Sequence, residues 1–243
     1  MTLPRALVIV PTFNERDNLP VLTESLMALP NVELLVVDDR SPDGTGDLAD
    51  DLARRHPGRI DVLHRTERPG LGRSYIDGMR RALASPRPAD VICQMDSDLS
   101  HDPKHLPDLI AATDRADVVI GSRYIPGGAV VNWPLRRRFL SRFANMYIHA
   151  ITRLAARDCT SGYRCWRRET IADLPLDRFD SNGYSFLVEM LYAAAARGYR
   201  IAEVPITFVE RRRGVSKLSS GVLLESAATP WRVVATRARF VRR

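Results

Sequence analysis

ELLVVDDRSPDGTGDLADDLARRHPGRIDVL, residues 33–63, holds the pattern that decides the fold. Residues 33–37 and 60–63 are short, apolar and β-branched, which suits buried strands. Between them, residues 46–55 carry apolar side chains at helical spacing, and Asp43 is a candidate cap. The same alternation runs outward in both directions. Strands are predicted at 6–10, 91–95 and 118–120, and helices at 18–29, 72–84 and 103–115, with Asn18 and Asp102 as further candidate caps. Strand and helix alternating this regularly imply an α/β protein with a doubly wound, mostly parallel sheet. Such sheets bind ligands in the crevice beyond the carboxyl ends of their strands. The polar clusters fall at those ends, at residues 11–15, 38–44, 96–101 and 121–123.

After Gly127-Gly128 the pattern changes. Residues 133–157 form a long helical candidate with Phe139, Phe143, Met146, Tyr147, Ala150 and Leu154 near one face and Arg136, Arg137, Arg138 and Arg142 at its start. A basic amphipathic helix lies on a membrane surface or packs on its own domain, and both readings are open. A helix is expected over 181–197, a strand over 199–208, and an interfacial helix within the apolar and arginine-rich stretch 218–243.

The 243 residues carry 36 Lys plus Arg against 29 Asp plus Glu, a net charge of +7, and only Lys104 and Lys217 are lysines. Residues 1–120 hold 14 cations and 20 anions; residues 121–243 hold 22 and 9. Residues 211–243 alone carry nine cations against Glu225, so the basic character is local. A basic surface suits nucleic acid, anionic lipid or a phosphorylated substrate. The 45% apolar share can fill a core, which rules out disorder. No apolar run reaches the roughly 18 residues of a membrane span, and no export signal is evident at the N-terminus, so a cytosolic protein is expected. Cys93, Cys159 and Cys165 make neither a CxxC nor a His/Cys cluster, so a zinc site or disulfide framework is not expected.

Asp96-Ser97-Asp98 directly follows a predicted strand. Two carboxylates one residue apart at a strand end either hold a hard divalent cation while a diphosphate supplies further ligands, or cap a solvated turn. Asp38-Asp39 ends the second strand and residues 11–15 the first, so three acidic clusters are expected at one rim. Like charges would repel a bare nucleotide diphosphate there, and a metal-bridged nucleotide answers that repulsion. The absence of GxxxxGK[ST] and GxGxxG after the first strand demotes phosphate-loop NTPases and dinucleotide dehydrogenases.

These residues resemble a known family. Pro11-Thr12-Phe13-Asn14-Glu15, residues 36–45, Gly70-Leu71-Gly72, residues 95–101 and Gly121-Ser122-Arg123-Tyr124 are similar to family-2 inverting glycosyltransferases of the glycosyltransferase A fold. Within that family they resemble the dolichol or polyprenol phosphate mannose synthases. The resemblance continues through residues 136–145, 158–168 and 204–218, including Phe208-Val209-Glu210-Arg211 and Gly214-Val215-Ser216-Lys217, and so covers nearly the whole chain.

The resemblance implies roles. Pro11, Phe13, Glu15, Val37 and Asp39 match positions that hold the guanosine and its ribose. Asp96 and Asp98 match the metal and donor-phosphate positions, with Ser97 contributing its backbone, and the cofactor implied is a divalent cation, Mg or Mn. Ser100 stands where some relatives carry a metal-ligating Gln. Arg123 matches a residue facing the donor and acceptor phosphates; Arg137 and Ser141 match acceptor-phosphate positions. Arg211 and Lys217 match a loop that closes over the nucleotide. Asp98 and Arg123 are thus the implied catalytic residues. The implied domain plan is a catalytic unit over 1–217, with a nucleotide-binding half to residue 120 and an acceptor-side half and closing loop after it, followed by a basic segment, 218–243. The implied partners are GDP-mannose and a polyprenyl phosphate in the membrane, with transfer by single inversion. Peripheral attachment to the cytoplasmic leaflet follows, through the basic helices or a membrane-anchored partner protein. Transfer of glucose or another hexose is the nearest rival; a non-catalytic basic membrane or RNA adaptor leaves the acidic strand ends unexplained, and no aromatic RNA-binding motif is present.

Other residues have readings of their own. His101 and His105 flank a helix start, Cys93 and Trp166 suit a core, and Asp158 suits either a binding acid or a turn. Tyr184 and Glu189 are expected to be structural, and residues 181–184 are a candidate floor beneath the acceptor.

Overall fold

The computed structural model describes residues 3–179, 183–210 and 220–241. The expected alternation is present: β1 (Ala6–Thr12), α1 (Leu19–Met27), β2 (Val32–Asp38), α2 (Thr45–Arg55), β3 (Ile60–His64), α3 (Leu71–Leu83), β4 (Val91–Gln94), α4 (Leu106–Ala112) and β5 (Val118–Ser122). The helix expected over 103–115 is shorter. It begins as a 3-10 turn, Pro103–His105, capped by Asp102, whose carboxylate accepts the Lys104 N–H at 3.0 Å. Proline has no N–H to give, so Pro103 and Pro107 are tolerated only at such starts. Asn18 stands at the start of α1 without capping it; its amide donates to Glu15 Oε2 at 2.8 Å instead. Asp43 accepts the Thr45 N–H and hydroxyl just ahead of α2.

The strands alternate their faces, which divides the interior into two cores. Ile9, Leu35 and Val37 meet Tyr75, Ile76 and Met79 of α3 on one side, while Val8, Val10, Leu34 and Val36 meet Leu19, Leu22 and Leu109 of α1 and α4 on the other. Gly78 lets α3 approach closely, since a Cβ there would come within 2.7 Å of Ile9 Cγ2.

The sheet has seven strands in the order β3-β2-β1-β4-β7-β5-β8. Strand β7 (Arg164–Arg167) was not expected from the sequence and runs antiparallel between β4 and β5. Its arginine ends disguise it. Arg164 is fully buried and donates to the carbonyls of Ser161, Cys159 and Leu187, so it occupies a core position. Burial draws its pKa down to about 10, which leaves it charged near neutral pH. Trp166 and Cys93 are core residues, as expected.

The strand expected over 199–208 is two. β8 (Ile201–Pro205) runs parallel to β5, and after Ile206 the chain forms β9 (Thr207–Val209) beside β6 (Ala129–Val131). The last bond of the first ladder is made by the Ile206 N–H to the Ser122 carbonyl at 3.0 Å. α5 (Leu135–Thr152) follows β6, α6 (Arg168–Asp173) follows β7, and α7 (Gly183–Ala196) precedes β8.

On α5, Leu135, Phe139, Leu140, Phe143 and Met146 are exposed, so its apolar face is turned outward. α8 (Ser220–Ala235) lies beside it, joined where Trp231 Nε1 donates to the Tyr147 hydroxyl and that hydroxyl donates to the Ala227 carbonyl. Part of the stretch 218–243 shares the main core: Val233 and Phe240 are fully buried, and Phe240 stacks on Phe179. Its arginines hid that apolar spacing. No helix among the described residues is long and apolar enough to cross a membrane.

Candidate active site

The carboxyl ends of β1, β2, β4 and β5 bring the expected residues to one rim. A small cavity there is lined by Asp96, Asp98, Ser100, Arg123, Trp133 and Arg137, together with His101, Thr160, Gly162 and Phe208. The donor-side acids and the expected acceptor arginines therefore share one space.

Each acid is oriented by its neighbours. Asp98 Oδ1 accepts from the Ser100 hydroxyl at 2.5 Å and its N–H at 3.1 Å. Ser100 thus supports the acid, a role its short side chain can fill. Ser97 is buried between the two acids. Asp96 Oδ1 lies 3.5 Å from the Tyr75 hydroxyl. Burial, then the charge of Asp96, pushes that hydroxyl well above its ordinary pKa, so it faces Asp96 as a neutral donor. Two carboxylates at a cavity wall form an oxygen donor set that fits a hard divalent cation when a diphosphate supplies the remaining ligands.

The nucleotide end is less bare than the charge count suggested. Asp39 is buried, with Oδ1 held by Arg65 Nη1 at 2.5 Å and Oδ2 by the Gly70 N–H at 2.9 Å. Arg65, itself buried, also donates to Asp77. Asp38 is occupied by the Thr12 and Ser41 hydroxyls and the Ser41 N–H. Two of the acids counted as free charge at the rim are therefore internally bonded. Glu15 is oriented by Asn18 and its N–H bonds Thr45 Oγ1; Phe13 is 38% exposed beside it. The Val37 side chain lies in the core, so toward the rim it offers only backbone. Pro11 precedes the end of β1, opposite Val37.

Arg123 follows β5 and is nearly enclosed. Its Nε and Nη2 grip Asp158 in a two-pronged pair at 2.7 Å each, its N–H reaches the same carboxylate, and Nη2 also donates to Thr160 Oγ1. Asp158, left between two readings by the sequence, is the carboxylate that aims Arg123. Burial pushes Asp158 upward, and the Arg123 charge and hydrogen bonds more than cancel that, so its pKa ends below the ordinary carboxylate value. The rings of Tyr124, Trp133 and Phe208 surround the guanidinium at 5.2–5.6 Å. Gly128 permits this fold of the chain, because a Cβ there would strike the Ser122 carbonyl at 2.6 Å.

Arg137, on the first turn of α5, stacks on Trp133 at 4.0 Å and donates to Glu210 Oε1 at 2.5 Å. Ser141 lies one turn on, and its hydroxyl accepts from Tyr124 at 2.7 Å. Asn145 ties α5 to the loop ahead of β7: its amide nitrogen donates to Thr160 Oγ1 and its oxygen accepts the Cys159 N–H. Trp133, Glu210, Asn145 and Thr160 were given no individual role by sequence reasoning, although the last three fall within the stretches that carry the resemblance. Arg211, Lys217 and residues 181–182 lie outside the described residues.

The family model for glycosyl transferase family 2 matches residues 7–174, more than half of the chain. The chain belongs to glycosyl transferase family 2. This family-2 glycosyltransferase is 47% identical over 224 residues to a polyprenol monophosphomannose synthase from Mycolicibacterium smegmatis, covering 91% of this chain and 84% of the relative. It is also 47% identical over 234 residues to an undecaprenyl-phosphate mannosyltransferase from Micrococcus luteus, covering 95% of both. Among solved structures it resembles glucosyl-3-phosphoglycerate synthase from Mycobacterium tuberculosis, in complex with Mn2+, UDP and glucosyl-3-phosphoglycerate. That match has TM-score 0.64 and 21% identity, over 98% of this chain and 80% of the other. A mannosyltransferase from Pyrobaculum calidifontis, in complex with GDP-Man and Mn2+, matches with TM-score 0.58 and 18% identity over 98% and 74%. Both share the glycosyltransferase A fold of the enzyme described here.

Proposed function

We propose that this enzyme transfers mannose from GDP-mannose to a polyprenyl phosphate of the dolichyl type, giving polyprenyl β-mannosyl phosphate and GDP. The observation that carries the reading is one cavity shared by Asp96 and Asp98 on the donor side and Arg123 and Arg137 on the acceptor side. The 47% identity to two relatives named for mannosyl transfer to polyprenol-type lipids supports it along nearly the full chain.

In this reading Pro11, Phe13, Glu15, Val37 and Asp39 receive the guanosine, and Asp96, Ser97 and Asp98 the metal-bound diphosphate. A bound Mg or Mn would supply Lewis-acid stabilisation of the departing diphosphate. Arg123, Arg137 and Ser141 hold the acceptor phosphate, whose second pKa is about 6, so its oxygen is already anionic near neutral pH. No strong base is then required. That oxygen forms a bond to the anomeric carbon as the bond to the diphosphate breaks, with one inversion, and Arg211 and Lys217 steady the leaving group.

The outward apolar face of α5, edged by arginines and flanked by α8, would lie on the cytoplasmic leaflet, where polyprenyl phosphate is presented; a membrane-anchored protein partner is the alternative occupant. The catalytic unit in this plan is residues 1–217, with 218–243 serving the membrane side, and nucleic acid has no place in it. The test is transfer of labelled sugar to lipid extract with GDP-mannose or UDP-glucose, with and without EDTA. Lipid-linked mannose from GDP-mannose alone, abolished by EDTA, is expected; turnover with UDP-glucose alone would overturn the donor assignment.

A further inference from the structure

The orientation of Asp96 depends on a residue the acid-pair motif does not include. The Asp96 backbone N–H donates to His101 Nδ1 at 3.1 Å. A nitrogen that accepts cannot carry the proton, so the imidazole is the tautomer protonated on Nε2. The ring is almost completely buried. It stacks on Tyr163 at 5.0 Å and meets the edge of Phe208 at 5.5 Å, and the backbones of residues 101 and 208 form a bridge. Gly162 closes the fourth side: a Cβ there would lie 3.4 Å from Asp96 Oδ1 and 3.5 Å from His101 Cε1. In the turn after β4 the Asp96 N–H is thus tied to a buried ring enclosed by Tyr163, Phe208 and Gly162.

We infer that His101 is a positioning residue for Asp96: its Nδ1 holds the backbone turn that sets the Asp96 carboxylate toward a metal-bound diphosphate. The inference rests on the proposed metal-dependent donor site. It also gives the buried histidine a purpose that apolar packing would not require, since a phenyl ring would fill the same slot.

The atoms supply a clean test. Asn places an amide oxygen at the same bond count from Cβ as Nδ1, Gln places it one carbon further, and Phe keeps the ring without an acceptor. Mn2+ binding in the presence of GDP is read by electron paramagnetic resonance on the full chain, with circular dichroism to check folding. His101→Asn is expected to bind within about threefold of wild type and His101→Phe about tenfold more weakly, because a donor is left without an acceptor. His101→Gln, expected to resemble the Phe variant, decides the matter should His101→Phe fail to fold. Equal binding by wild type and the Phe and Gln variants, or equal loss in Asn and Gln, overturns the inference while leaving the donor site standing. No Mn2+ binding by wild type with GDP overturns both.

Discussion

Glu210→Gln should tighten the use of lipid acceptor. Arg137 is already engaged: Nη1 donates to Glu210 Oε1 at 2.5 Å, and the two side chains are 26% and 33% exposed. An incoming phosphate must take the guanidinium from that carboxylate. The contact is made through one donor nitrogen and is partly screened by solvent, so it belongs near the upper end of the range for surface pairs, about 1 kcal/mol. Removing the carboxylate charge and keeping the shape therefore relieves the acceptor of about a fivefold handicap. Radiolabelled transfer to a short polyprenyl phosphate in detergent should show acceptor KM falling about fivefold, with donor KM unchanged. In an Arg137→Ala background the same substitution should do nothing, because there is no guanidinium to release. An unchanged or raised acceptor KM in Glu210→Gln would refute the competition, and with it the assignment of Arg137 to the acceptor phosphate.

Other expectations follow from the same geometry. Asp98→Asn should abolish divalent-dependent transfer while leaving the unfolding transition near wild type; retained transfer would remove Asp98 from the site. Asp158→Asn leaves Arg123 buried without its counter-charge, which should cost about 3–5 kcal/mol in urea unfolding; a loss below about 1 kcal/mol would contradict the enclosure of that pair. Because the folded Asp158 pKa is lowered, its stabilisation is present above the unfolded value of 3.8 and is lost as pH falls through the folded one, so the wild type should lose more stability than Asp158→Asn below about pH 4. Phe139→Ser with Phe143→Ser should lower flotation with anionic liposomes at least about tenfold, since each phenyl is exposed on the outward face of α5; unchanged flotation would favour a protein partner. Gly78→Ala forces a methyl to 2.7 Å from Ile9 Cγ2 and should destabilise by about 1–3 kcal/mol by thermal or urea unfolding.

The sequence was most legible where each face of a strand meets apolar helices. Residues 6–10, 33–37, 60–63, 91–95 and 118–120 are nearly all apolar, and they lie within or across β1 to β5. It was least legible where arginine behaves as a core residue. Arg164, fully buried, bonds three carbonyls, and half-buried Arg59 bonds those of Met27, Leu29 and Val32, contacts that composition does not announce. Charge counting failed for the same reason: Arg65 neutralises Asp39 from a distance of 26 residues, a pairing that no local pattern reveals. The candidate residues at the strand ends were legible by their clustering, whereas the groups bonded to the candidate arginines, Asp158 and Glu210, and Asn145 beside them arrive from remote segments.

The direction of β7 explains why those remote segments arrive at all. A strand that ran parallel between β4 and β5 would end, not begin, at the rim where Asp96 and Arg123 lie. Because β7 is antiparallel to both neighbours, its first residue is at that rim, and Gln94 pairs with Arg164 while Ile120 pairs with it from the other side. The loop 158–163 is delivered there directly: Asp158 and Thr160 meet Arg123, and Gly162 lies against Asp96. Reversing the strand would carry that loop about 13 Å away, the length of four residues at about 3.3 Å each. One antiparallel strand in an otherwise parallel sheet therefore joins the candidate donor acids to the candidate acceptor arginines. Arg164, buried at its first position and holding the carbonyls of Cys159 and Ser161, fixes the loop in the shape that the junction needs.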